Sequence, residues 1–302
     1  MPFIKKFDIF GLGCIALDKI LFIKGNADLN VKYQIIRTEQ EVGGLVGRAL
    51  ITASTLGSTC YYKAILGKNH KSNIVVSALK SHRVNTDLIE FDLFSGPIDS
   101  TVVISEDFKQ RTIYFDENQW KPNRLKIINN LEQIKYSSLL IIDDYINDKS
   151  ILNAIKIAKT YKVPILADFE NKLNDQIIQA VKLIDHIIVS ESFVIENFGK
   201  ISPEKSILKL WDDSKTLIAI TYGDKGCYFR SVENSKVNFV PSVKVKTNNT
   251  LGCGDVFHGA YAHALTKKYT AMDRIRFANA AAAIRASGKK LDKKEIEKIM
   301  YI

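Results

Sequence analysis

The pattern of apolar and polar positions changes character part-way along the chain. In the first part, "KILFIKG", "KYQIIRT", "DSTVVISED" and "KQRTIYF" are short apolar runs broken by a polar residue at every second or third place. That is the pattern of strands with one wet face. The last two flank "EDFK", which reads as a hairpin loop. Between these early strands a helical segment follows "VGG" over roughly residues 44 to 56. From about residue 138 the alternation disappears. "SLLIIDD" is apolar throughout, as a strand covered on both faces would be. It opens a regular series: the helix "SILNAIKIAKTYK", with Ser150 expected as N-cap; the strand "VPILADFE"; the helix "NDQIIQAVKLI"; the strand "DHIIVS"; the helix "SPEKSILKLWDD", with Ser202 and Pro203 at its start; and the strand "TLIAITYG".

Alternation of this kind predicts an α/β fold, a doubly wound and mostly parallel sheet with helices on both faces. Ligands collect at the carboxyl ends of such strands. The early strands do not fit the alternation. They predict a small β-sheet lid, roughly residues 14–40 and 96–115, inserted in a single unit spanning 1–302. The alternative is that they extend the edge of the main sheet.

Composition narrows the function classes. A chain of 302 residues, 46% of them hydrophobic, can bury a sizeable core. The formal charge of +10 is spread along the chain with no basic block and no nucleic-acid module, so it reads as a lysine-rich solvated surface favouring small anionic ligands. Cys14, Cys60, Cys227 and Cys253 have neither metal-ligand spacing nor a disulfide framework. "MPFIKKFDIF" lacks the apolar run of a signal peptide, and no stretch reaches the length of a membrane span. The expectation is a soluble, cytoplasmic protein with neither nucleic acid nor membrane as partner.

Four stretches carry candidate chemistry. "GLGCIA" matches a dinucleotide-binding fingerprint, but "IALDKILFIKG" reads as a turn into another strand and not as the required helix. Asp18 then stands just past a strand end, either a solvated turn residue or a hydroxyl-binding acid. Gly43 and Gly44 precede a helix and would permit close approach of a ligand to the backbone. "TYGDKGCYF" reads as a strand, a tight turn and a returning strand. The fourth stretch, "NTLGCGDVFHGAYAHALTKK", opens a helix near Gly252. A helix N-terminus leaves N–H groups unpaired, and Gly-x-Gly lets them line a concavity for an anion. Asp255 in that first turn either balances the helix dipole or serves as a general base beside a phosphate. No Walker loop, protein-kinase signature, zinc-protease helix or serine elbow is present.

These residues resemble the ribokinase family of carbohydrate kinases, which includes ribokinase, fructokinases and adenosine kinase. "NTLGCGDVF" is similar to the family's D-T-x-G-A-G-D-x-F signature. "GLGCIALD", the glycine pair at 43–44, "QRTI", "TYGDKG" and "FANAAAAIRASGKK" support it over nearly the whole chain. The resemblance implies an ATP-dependent sugar kinase with a β-sheet lid, acting on a hydroxyl, in the first instance a primary one. Asp255 would be the base and Gly252, Cys253 and Gly254 the anion hole. Asp18, Gly43 and Gly44 would hold sugar hydroxyls. Thr221, Gly223 and Gly226 would line the nucleotide, with Asn279 near the adenine and Mg²⁺ accompanying ATP. Three positions depart from the pattern. Asn249 stands where the family carries an acid beside a monovalent-cation site, which puts potassium activation in doubt. The family's N-x-x-E motif falls on Ser190 and Phe193, with Glu191 as the substitute near the metal. Arg48 replaces an Asn that contacts the sugar, and could instead hold an anionic acceptor. A nucleoside kinase of the same fold and a sugar- or nucleotide-binding protein without turnover are the alternative readings. Exposed lid strands would favour a homodimer clasped through the lids.

Overall fold

The unbroken apolar runs of the second half form the centre of a nine-stranded sheet. We describe the chain from a computed structural model, over residues 4–108, 110–123, 127, 129–146 and 148–302. In chain order the strands are β1 (Phe7–Leu12), β2 (Ala16–Ile23), β3 (Ile35–Gly43), β4 (Cys60–Lys63), β5 (Ile65–Gly67), β6 (Val84–Asn85), β7 (Glu90–Asp92), β8 (Ile98–Ser105), β9 (Arg111–Asp116), β10 (Ser137–Asp143), β11 (Ile165–Phe169), β12 (His186–Ser190), β13 (Leu217–Thr221), β14 (Gly226–Ser231) and β15 (Asn234–Pro241). The helices are α1 (Leu45–Thr55), α2 (His70–Ser81), α3 (Asp148–Thr160), α4 (Asp175–Val181), α5 (Glu191–Phe198), α6 (Pro203–Leu210), α7 (Cys253–Thr266), α8 (Ala271–Ala286) and α9 (Lys293–Ile299).

The main sheet runs β15-β14-β13-β12-β11-β10-β1-β4-β6. It is parallel from β13 to β6, and the β13–β14 and β14–β15 pairs are antiparallel. Leu139–Ile142, Ile165–Ala167 and Ile187–Val189 are all buried, which accounts for the absence of alternation. The register pairs Asp143 with Asp168 and Ser190 with Thr221, so these polar residues share one carboxyl edge.

The early strands build a separate sheet of order β3-β2-β8-β9, which excludes an extension of the main sheet's edge. Its central pair, β2 and β8, is parallel, and the outer pairs are antiparallel. Its apolar face is a small core of its own, made of Ile20, Phe22, Val102 and Ile104 with Leu251 from the approach to α7. β5 and β7 form a further parallel pair.

Most helix boundaries fall where capping chemistry puts them. Ser202 accepts from the Lys205 N–H with Pro203 at the first helical position. Ser150, expected as an N-cap, is instead inside α3, which begins at Asp148. The Ser150 hydroxyl oxygen accepts from the Ile127 N–H at 2.8 Å, a long-range contact that takes the oxygen a cap would have used.

α7 lies between α1 and α8, and the α1–α7 contact sets where its first turn points. Gly259 makes that contact close: a Cβ built there would lie 2.3 Å from the Ala49 carbonyl oxygen and 2.7 Å from Thr52 Cβ. An interior helical Gly→Ala change ordinarily stabilises by about 0.5–1 kcal/mol. Here the added methyl meets fixed backbone, and the overpacking cost of roughly 1–3 kcal/mol is the larger. Gly259→Ala is therefore expected to lower the unfolding free energy in urea titration. A gain in stability would show that the two helices separate freely.

Candidate active site

The first turn of α7 stands at the carboxyl edge of the sheet. Gly252 caps the helix in the left-handed conformation, at φ 73°. A Cβ at Gly252 would come within 2.7 Å of Arg48 Cδ and Nε, whereas one at Gly254 would meet nothing within 4 Å. One glycine thus admits a neighbouring side chain. The other leaves open space in front of the helix N-terminus, where unpaired N–H groups and the helix dipole favour an anion.

Arg48 enters from α1 and does not face solvent; its side chain is 8% exposed. It sits among three carboxylates of the chain itself. Nη1 donates to Glu41 Oε2 at 2.9 Å and Nη2 to Asp18 Oδ2 at 3.2 Å. Nε lies 3.5 Å from Asp255 Oδ2 and makes no hydrogen bond. The two predicted glycines are fitted to this cluster. A Cβ at Gly43 would strike Asp18 Oδ2 at 2.2 Å, and Gly44, at φ 83°, would strike Ile15 Cα at 2.5 Å. Asp18, Gly43, Gly44, Arg48, Gly252 and Asp255 therefore converge on one place. Burial raises the Asp18 carboxyl and outweighs the Arg48 charge. Burial also raises Asp255, to about 6, with the Arg48, Arg285 and Arg111 charges opposing it and Asp18 adding to it. Burial pushes Glu41 up too, but Arg285 and Arg48 together bring it below its ordinary value.

A second group of predicted residues gathers around the end of β15. Thr221 closes β13, Gly223 opens the turn that follows, and Gly226 is the first residue of β14. A Cβ at Gly226 would strike the Val240 carbonyl oxygen at 2.2 Å. Asn279, buried on α8, donates from Nδ2 toward the Val240 and Pro241 carbonyls at 3.3 and 3.4 Å. Its amide nitrogen thus braces the strand end. Glu191 opens α5 directly after Ser190, which pairs in register with Thr221. Cys253 is half-buried in the first turn of α7, and the four cysteines are free thiols.

Several functional neighbours escaped sequence reasoning. Arg285 on α8 donates from Nη2 to Glu41 at 2.7 Å and from Nε to the Leu251 carbonyl at 3.0 Å. Arg111 on β9 donates to the Thr250 hydroxyl. His258, one turn beyond Asp255, has Nδ1 within 2.9 Å of the Gly254 carbonyl and 3.2 Å of Asp168 Oδ2, and Nε2 within 3.0 Å of the Ile188 carbonyl. That ring ties the first turn of α7 to the ends of β11 and β12. Burial raises Asp168 well above the carboxylate range and lowers His258, and burial with the Asp255 charge brings Glu170 to about 7. The available signals were a lone arginine in a run of alanines and an acid just before the glycine pair.

This cluster, with an acid in the first turn of a helix beside an open glycine, suits phosphoryl transfer, and the comparisons with known proteins agree on a kinase. The sequence profile described as "pfkB family carbohydrate kinase" matches residues 17–296. The chain belongs to this family. A pfkB carbohydrate kinase is a phosphotransferase acting on an alcohol group. The chain is 24% identical to ribokinase from Bacillus subtilis (strain 168) over 85% of its own length and 87% of the relative's. In fold it is similar to Arabidopsis thaliana ribokinase complexed with ribose and ATP, at a TM-score of 0.83 and 17% identity, covering 98% of this chain and 99% of that one. Burkholderia thailandensis nucleoside kinase in complex with inosine is also similar, at a TM-score of 0.78 and 15% identity, covering 97% and 95%. Among the described residues of this pfkB kinase, no helix is long and apolar enough to cross a membrane.

The two glycines at the start of α7 should respond differently to alanine. Gly252→Ala forces a side chain into the left-handed region, at about 1–2 kcal/mol, and displaces Arg48. Gly254→Ala meets open space. Thermal unfolding is expected to show a lowered Tm for the first and a near-wild-type Tm for the second.

Proposed function

We propose that this kinase transfers the γ-phosphate of ATP to a hydroxyl, in the first instance a primary one, of a sugar or sugar derivative. The observation that carries this reading is Asp255, placed by α7 in the same turn as the open Gly254 backbone and next to Asp18 and Gly43. Asp18 and the Gly43 backbone hold hydroxyls of the acceptor. Asp255 takes the proton from the reacting hydroxyl, whose oxygen attacks the γ-phosphorus as the bond to the β-phosphate breaks and ADP leaves. The N–H groups of the Gly252–Gly254 turn stabilise charge on the transferring group. Thr221, Gly223, Gly226 and the brace at Asn279 form the nucleotide side.

Mg²⁺ would neutralise phosphate charge. Among the described residues no group of three or more His, Cys, Asp or Glu is arranged to hold a metal ion. The ion would be carried largely by the phosphates and water, with Glu191 as the adjacent carboxylate. A potassium ion beside position 249 fits poorly. Asn249 is neutral and its Oδ1 accepts from the Leu251 N–H at 2.8 Å. The nearby carbonyl of Ala286 accepts from the Asn248 and Asn249 N–H groups, and that of Ser287 accepts from Asn248 Nδ2. These oxygens face N–H donors, so turnover is expected to change less than about twofold when potassium is exchanged for tetramethylammonium, with no rise in Tm; strong activation by potassium would overturn this.

The small sheet acts as a lid over the acceptor side. β9 is its edge strand, and Ile113, Tyr114 and Phe115 on it are exposed. Such an edge is a liability that pairing with a second copy would remove. Sedimentation at micromolar concentration is expected to give a dimer, and a monomeric mass would exclude the clasp.

Asp255→Asn should keep the fold and nucleotide binding and lose about 10²–10⁴ of kcat, measured as phosphate transfer across pooled sugars. Near-normal kcat would sink the mechanism. Because the base must be ionised, kcat/KM should rise with pH through an acidic limb near 6, above the ordinary carboxylate range. A flat profile between pH 5 and 8, an interval on the order of the usual physiological titration range, would remove Asp255 from the proton transfer.

A further inference from the structure

Arg48 has two bonded nitrogens and one without a hydrogen bond. Glu41 and Asp18 pin the two Nη atoms from β3 and β2, so the guanidinium is held at three places in the chain: its own helix and both strands. Its third nitrogen, Nε, is buried, without a hydrogen bond, and faces the Asp255 carboxylate from 3.5 Å. At that separation the charges attract strongly in a buried setting, yet Arg48 Nε makes no hydrogen bond to Asp255. A direct hydrogen bond would stabilise the anion further and occupy one of the lone pairs that can receive a proton. The cluster also leaves Arg48 little spare charge: Asp18, Glu41 and Asp255 all face it, and Arg285 is required as a second cation on Glu41.

We propose that Arg48 is a positioning residue for Asp255, fixing the carboxylate and keeping it ionised while leaving its lone pairs free, and that it is not a binding site for an anionic acceptor. The inference rests on Asp255 as the base. The groups that face Asp255 are Arg48 from α1, Asp18 from β2, Arg285 from α8, Arg111 from β9, Asp168 and Glu170 from β11 and the residue after it, and Cys253 on its own helix. Of these cations, Arg48 has the largest effect on Asp255.

The test reads Asp255 directly, by carbon NMR titration of labelled aspartate carboxyls, with the signal assigned by its loss in Asp255→Asn. Arg48→Gln is expected to raise the midpoint by about one unit or more, a tenfold change in proton affinity. Arg48→Lys, which keeps the charge, should move it by less than about half a unit. Glu41→Gln, which removes a competing carboxylate and leaves Arg48 in place, should move it down. Should Arg48→Gln fail to fold, the Glu41→Gln shift still decides the matter. An unmoved midpoint in both variants overturns the inference, as does an acceptor KM that rises for anionic sugars alone in Arg48→Lys. Kinetics separate this from the mechanism: if the midpoint moves and the acidic limb of kcat/KM does not follow it, the assignment of Asp255 as base fails while the coupling to Arg48 stands.

Discussion

The burial of one guanidinium among three carboxylates is the constraint on which the site depends. An unpaired charge in such a place is too costly to keep, so Arg48 has to be matched, and matching it requires α1, the small sheet and α7 to meet at one point. Asp18 and Glu41 are brought by adjacent strands, paired in register. Asp255 is brought by a helix whose entry is shaped by a left-handed glycine packed on the arginine. Remove any one carboxylate and the arginine charge it matched falls on the others, which are then held more firmly ionised. The polar cluster therefore specifies an arrangement of elements as well as a chemistry.

Arg285 extends this network to α8. It shares Glu41 with Arg48 and holds the Leu251 carbonyl, while Asn248 and Asn249 fasten the same turn to the end of α8. On the opposite side His258 holds the first turn of α7 to β11 and β12. The first turn of α7 is thus gripped from both ends, which suits the proposed role of presenting N–H groups without reorganising.

The parts of this structure that could be read from the sequence are those whose physics is local. β10 to β13 were legible because burial on both faces removes alternation; of the early strands, expected to have one wet face, only β8 alternates, while β2 is buried at all but Lys19 and Leu21 and β9 is exposed throughout. The helix start at 252–255 was legible because a glycine followed by an acid in the first turn is local helix-initiation chemistry. Ser150 misled because its oxygen is claimed by Ile127, a partner that no local rule could supply. Arg48 stood out as a departure from the family pattern, but its role could not be read: Glu41 and Asp18 lie on other elements, and Arg285 lies 244 residues from the Glu41 it binds. Whether a charge is free or already matched is a property of the fold.

Leu251 bears on the order in which the chain can mature. The apolar face of the small sheet is made by residues 20, 22, 102 and 104, and is completed by a side chain almost 150 positions further on. During synthesis that face is without its cover until most of the protein has left the ribosome. Contacts of such sequence separation form late and slowly, and an uncovered apolar sheet invites association in the interval. The approach to α7 is also the last piece to seal the small sheet's core, so truncations that spare every strand of that sheet would still leave it open.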